Sequence, residues 1–178
     1  MSPDSPALCR TVFRALQSAL ALTDAEANAG LFRAYSDNPP SEPSPSQNVC
    51  YYHLQSDPQA SVLPETNTAN SVHEVSSFIP CRLILVFYGP DCEARAHRAA
   101  SFLFLDGSGK PRRILRSAGL FLIPDHAAPA VVYEETGKAY RKRADLMIRT
   151  RLLSNEVYAS IQNPSVPIPI PIDRRSVV

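Results

Sequence analysis

The sequence predicts an α/β (α+β) fold, a mixed and mainly antiparallel sheet flanked by an N-terminal helix and a central helix. Three observations point there. Leu83 to Tyr88 are six apolar or aromatic residues in a row, stopped by Gly89-Pro90-Asp91 and followed by a small-residue amphipathic stretch. That is the pattern of a buried strand, a tight turn and a helix. Residues 143–152 alternate cleanly, with Ala144, Leu146, Ile148, Thr150 and Leu152 set against Arg143, Asp145, Met147, Arg149 and Arg151. This is a half-buried antiparallel strand with a polar outer face. Leu8, Val12, Ala15, Leu16, Ala19 and Leu20 recur at helical spacing behind Ser5-Pro6, a favourable N-cap and first helical position.

In chain order, residues 6–21 form the first helix. Thr23-Asp24-Ala25-Glu26 has capping-box spacing and starts a short second one. Leu31 to Tyr35 fit either the end of that helix or a short strand. Residues 38–47 are rich in Pro and Ser and read as an extended surface linker. Residues 49–54 alternate as a strand, 55–71 read as a long polar loop, and 72–88 return as a long strand bent or bulged at Pro80. A helix from 90 to about 105 places Cys92, Ala96, Ala99, Ala100 and Leu103 on one side. Gly107-Ser108-Gly109-Lys110-Pro111 ends it as a turn, before apolar pieces at Ile114-Leu115 and 120–123. Residues 130–133 and 139–153 pair as a hairpin about Gly137-Lys138. In 164–178 an extended segment alternates proline with valine or isoleucine over 166–172, then ends in a charged tail. The whole, 1–178, is expected to be one domain.

Composition narrows the function. The 178 residues carry a formal net charge of +1, which gives no global attraction to nucleic acid, membrane or acidic substrates. The 17 prolines, about twice the usual share, favour extended connections over long helices. Cys9, Cys50, Cys81 and Cys92 have no metal-ligand spacing, and reduced core positions are expected for Cys50, Cys81 and Cys92. The N-terminus lacks a signal-peptide pattern and no apolar run approaches a membrane span. His53, His73, His97 and His126 are scattered. Asp106-Gly107-Ser108-Gly109-Lys110 lacks phosphate-loop spacing and is read as following a helix rather than preceding one. No nucleophile–base motif appears. The chain is therefore expected to be no enzyme, with no catalytic, metal or cofactor-binding residues and no cofactor.

One basic cluster stands out, Lys138, Arg141, Lys142 and Arg143 with Arg149 and Arg151. It is either a solvated strand face or a surface meeting DNA backbone or acidic groups of a neighbouring subunit. Lys110, Arg112, Arg113 and Arg116 form a weaker second cluster.

The order of features resembles the neck or tail-terminator proteins of long-tailed bacteriophages, in particular the neck-terminator-like family. The matching marks are the short N-terminal helix, Asn38-Pro39-Pro40, the strand with Tyr51-Tyr52, the Tyr88-Gly89-Pro90-Asp91 turn into an Ala-rich helix, and the Arg143-Ala144-Asp145-Leu146 strand. They span most of residues 8–172. Where the family often has an aromatic residue after the arginine, this chain has Ala144. The resemblance implies a structural virion protein, assembled in the host cytoplasm and located in the tail or neck. It implies a homo-oligomeric ring, typically a hexamer, at the head-proximal end of the tail tube, where it stops polymerisation and joins tail to neck. The implied partners are the tail tube protein, a neck, head-completion or connector protein, and possible sheath protein. Non-specific contact with genomic DNA passing through the ring is implied too, and no membrane. Arg141, Lys142, Arg143, Arg149 and Arg151 are then candidates for the subunit interface or the DNA channel. The competing readings are another connector component, such as a stopper or portal adaptor, and a small intracellular α/β enzyme.

Overall fold

In a computed structural model, residues 5–34, 44–57, 64–69, 72–104, 109–124, 128–136 and 139–159 are described. Residues 35–43, 58–63 and 160–178 are among those outside them, so the expectations for 166–178 and for most of the 38–47 linker lie outside the described residues. Helix α1 (Pro6–Leu20) begins where Ser5 accepts a hydrogen bond from the Leu8 N–H at 3.3 Å, and it ends at Ala21 in the left-handed region, φ 52°. Its buried face is Leu8, Val12, Ala15, Leu16, Ala19 and Leu20, the set that the periodicity predicts. Helix α2 (Asp24–Gly30) carries the full capping box: the Glu26 N–H donates to Thr23 Oγ1, and the Thr23 N–H donates to Glu26 Oε2 at 2.8 Å. The ambiguous stretch after it is strand β1 (Leu31–Arg33). It pairs parallel with β2 (Val49–Ser56), the one parallel pair among the described residues of a seven-stranded, otherwise antiparallel sheet.

The sheet order is β1-β2-β4-β7-β5, with β3 (Pro64–Ala69) on β4 and β6 (Ala130–Thr136) on β7. Strand β4 (Val72–Tyr88) pairs with β7 (Ala139–Ala159) in one register from Val72–Ala159 to Tyr88–Arg143. Two expectations change here. The polar stretch 55–71 is not a single loop, because Gln55 and Ser56 finish β2 and residues 64–69 form β3, paired to β4 from Pro64–Ser77 to Ala69–Val72. Nor does Pro80 cause a bulge. On one edge of β4, β2 covers residues 81–88 and β3 covers 72–77. Pro80 sits in the gap between them, where its carbonyl accepts from the Asp57 N–H at 2.8 Å and no reciprocal donor is required.

Helix α3 (Cys92–Phe104), helix α4 (Lys110–Ser117) and α1 cover one face of the sheet. Cys50, Tyr52 and Leu54 of β2, Leu83, Leu85 and Phe87 of β4, and Ala144, Leu146, Ile148 and Leu152 of β7 are buried beneath them. The small residues Cys92, Ala96 and Ala99 are fully buried and let α3 lie close to the strands. Helix α4 is missing from the sequence reading, which took Gly107 to Pro111 for a helix-ending turn. Gly109 is instead the N-cap and Pro111 falls in the first turn, with Pro111 and Leu115 buried. Lys110 therefore opens a helix, but the element before this segment is helix α3 rather than a strand and Pro111 stands where a phosphate loop has Ser or Thr, so the phosphate-loop reading fails on more than spacing. Short strand β5 (Leu120–Leu122) follows and pairs with β7 from Leu120–Leu152 to Leu122–Thr150. The hairpin of β6 and β7 closes at Thr136–Ala139, as read, and β7 runs six residues beyond the expected end at 153.

None of the four cysteines forms a disulfide, and Cys50, Cys81 and Cys92 are buried. Burial pushes the Cys50 thiol from 9.0 up to about 12 and the Cys81 thiol to about 11. It pushes the Tyr52 phenol from 10.0 up to about 12. In each case the unfolded chain ionises first, so the stabilisation is complete below the unfolded value and is lost as pH climbs towards the folded one. Urea titrations are expected to show a level midpoint up to about pH 8.5 and a falling one from there to about pH 12. Cys50→Ala with Cys81→Ala should flatten the part that begins near the thiol range. Thr150 gives a second test. Its hydroxyl is buried in the core row without a hydrogen-bond partner. Thr150→Val keeps the shape and removes that orphan, so it should leave stability unchanged or raise it by about 1 kcal/mol in the same titration.

Candidate interaction surface on the open sheet face

Alternation sends the other half of each strand to the face that the helices leave open. Directly opposed residues of an antiparallel pair share a face, so the pairing places Tyr51, His53 and Gln55 beside Val86, Ile84 and Arg82, and these beside Asp145, Met147 and Arg149. The centre of this face is apolar. Ile84 and Val86 are half-buried, and Met147 is 52% exposed. A shallow hollow there is lined by Ala34, Tyr51, His53, Gln55, Ile84 and Val86.

One corner gathers side chains that are far apart in sequence. Phe32, Tyr51 and Tyr88 form a row across β1, β2 and β4, with ring centroids 5.8 and 5.9 Å apart. The Arg141 guanidinium lies 4.3 Å from the centre of the Tyr88 ring, a cation–π contact. The Tyr88 hydroxyl donates to Glu134 at 3.1 Å. Arg143 bridges Glu134 at 3.2 Å and Asp145 at 3.1 Å. Burial raises the Tyr88 pKa, with Arg143 opposing and Glu134 adding to the rise. The turn after Tyr88 is held from the other side by Asn48. Its Oδ1 accepts from the Asp91 N–H at 3.0 Å and its Nδ2 donates to the Asp91 carboxylate at 2.9 Å. The Asp91 side chain is thus spent on Asn48 and not on the helix end, while its carbonyl accepts the first helical bond, from the Arg95 N–H.

The expected basic cluster divides into three. Arg141 and Arg143 are held by Tyr88, Glu134 and Asp145 within the corner. Lys142 leaves the open face altogether. It shares the helix side with Ala144 and pairs with Glu93 of α3 at 2.7 Å, which raises the lysine pKa and lowers that of Glu93. Arg149 and Arg151 stay exposed on the open face, some way along β7. Arg149 stands directly opposite Arg82. Arg82 is the cation that sequence reasoning missed, because it comes from another strand, and Asp57 holds it through its Nε and Nη2 at 3.0 and 2.9 Å. Next to this basic end, Phe78 and Phe121 meet edge to face at 5.9 Å. Lys138 and His126 lie outside the described residues. His97 is exposed on α3, and among the described residues no group of three His, Cys, Asp or Glu side chains is placed to hold a metal. No described helix is long and apolar enough to cross a membrane.

No family model matches the chain, and no curated protein is similar to it. Among solved structures, it is similar to a chain described as the virion of a native gene transfer agent particle. The identity is 15%, covering 84% of this chain and 100% of that one, with a TM-score of 0.25. At so low a TM-score the likeness carries no argument about fold or function.

The corner depends on its turn. Gly89 has φ +105°, and a Cβ there would lie 2.6 Å from both Asn48 Oδ1 and the Gln47 carbonyl oxygen. Gly89→Ala adds left-handed strain to a backbone collision, an expected loss of about 2–3 kcal/mol in urea unfolding. The Asn48–Asp91 clasp should open with it, visible as faster amide exchange at Asp91.

Proposed function

We propose that this chain is a structural subunit of a phage-like virion, forming the ring that terminates the tail tube and joins it to the neck. One observation carries the reading. The marks of the family resemblance lie well apart in the sequence, yet Tyr51, Tyr88, Arg143 and Asp145 meet at a single corner through a ring contact, strand pairing and an ion pair, at the end of β4 that leads into the Gly89–Asp91 turn. Residues that act as one unit give the ordered pattern a physical basis. The remainder of the open face suits a subunit that is one part of an assembly. It offers an apolar centre with exposed Met147, flanked by a basic end, and a closed ring of such subunits leaves no growing face.

Among the five cluster residues proposed for the interface or channel, Arg149 and Arg151 are best placed to meet a neighbouring subunit. Both are exposed, whereas Arg141, Lys142 and Arg143 are half-buried. Native mass spectrometry of the purified protein is expected to give a hexamer. Arg149→Gln with Arg151→Gln should dissociate it into smaller species without altering the far-ultraviolet circular dichroism. A ring that stays whole in the double variant would assign these arginines to the bore instead. A wild-type protein that stays monomeric, both alone and with tail tubes, would overturn the terminator reading.

A further inference from the structure

Among the described residues, nothing pairs with the outer edge of β6. Among the described residues β6 pairs with β7 alone, so the other row of its backbone N–H and C=O groups across 130–136 has no strand beside it. The surface next to this edge is apolar and exposed. Val131 is 38%, Tyr133 65% and Tyr140 75% accessible. An exposed apolar edge of this kind is a template for a further strand unless something covers it.

The chain contains a segment shaped for such an edge. Val166-Pro167-Ile168-Pro169-Ile170-Pro171-Ile172 has proline at every second position. In an extended chain, N–H groups and side chains both alternate with period two. All the N–H groups, those of Val166, Ile168, Ile170 and Ile172, would then lie on one edge, and the opposite edge would have none. The branched apolar side chains would share one face, suited to Val131 and Tyr133. Segment and edge are equally long, since β6 has 7 residues.

The segment cannot serve its own β6. Strand β7 ends at Ala159, while the nearer end of β6, Ala130, is opposite Asp145. Those fourteen residues of strand span about 46 Å. The chain from Ala159 to Val166 reaches at most about 25 Å. It falls short even if roughly a third of the strand's length is lost to coiling. We propose that residues 166–172 of one copy add as a strand to the outer edge of β6 in a second copy of this chain. The prolines then close the new edge, so each β6 takes one donor strand and growth stops there. This needs more than one copy but not the terminator role.

A photo-crosslinking amino acid at position 133 of the full-length protein tests it, using an equal mixture of isotopically light and heavy chains. The expected product joins position 133 to a peptide from 160–178, half of it pairing light with heavy. Products within one chain only, or none, would overturn the proposal. Ile168→Pro with Ile170→Pro removes donors while keeping apolar bulk, and should weaken self-association at least tenfold. Pro167→Ala with Pro169→Ala leaves every donor on the pairing edge and should assemble at least as well as wild type. Equal effects of the two pairs would overturn it. A crosslinked assembly other than a ring would uphold strand exchange while counting against the terminator reading, and a ring without the crosslink would do the reverse.

Discussion

Seventeen consecutive pairings between β4 and β7 set the position of nearly every other contact. Side chains alternate with period two, so a slip of one residue would send Leu83, Leu85 and Phe87 to the open face and bring Arg82, Ile84 and Val86 beneath the helices. The register is fixed by the mismatch this would create. Ala144, Leu146 and Ile148 oppose Phe87, Leu85 and Leu83, while Arg143, Asp145 and Arg149 oppose Tyr88, Val86 and Arg82. No charged side chain needs burial in this arrangement, and any odd shift would bury several, each at a cost of several kcal/mol. The helices, the ion-paired corner and the basic end all take their places from that one ladder.

What could be read directly was whatever local chemistry decides. Ser5-Pro6 and the Thr23–Glu26 box fix helix starts through hydrogen bonds within four residues, so α1 and α2 were legible. The alternation of 143–152 was legible because one face is buried. The failures share a cause. Pro-Glu-Thr-Asn-Thr-Ala has no apolar alternation, and β3 exists only because β4 runs past the end of β2 and offers an edge. Gly-Ser-Gly-Lys-Pro has turn composition, and α4 becomes visible only once Pro111 is taken as a first-turn residue and Leu115 as a core one.

The basic cluster shows the same limit at the level of the site. Counting charges along 141–151 joined Lys142 to its neighbours, although the alternation recognised in that strand already sends it to the helix side. Arg82 could not be placed beside Arg149 without the pairing between strands. Glu134 and Asp145 also change the meaning of the cluster. Within it, Arg143 is balanced by Glu134 and Asp145 and Lys142 by Glu93, all in partly exposed pairs that solvent screens. These pairs orient Tyr88 and Arg143 more than they stabilise the fold.

The gap at Pro80 bears on how this chain can vary over evolutionary time. Strands β2 and β3 lie end to end along the same edge of β4 yet share no pairing, and they are joined only through residues 57–63. Insertions or deletions in that connection alter how β3 meets β4 while leaving the pairs from Ser56–Cys81 to Val49–Tyr88 in place. The outer part of the sheet is thereby free to change length and sequence to suit a changing neighbour. The half beneath the helices is shielded from those changes by one residue that has no hydrogen to donate.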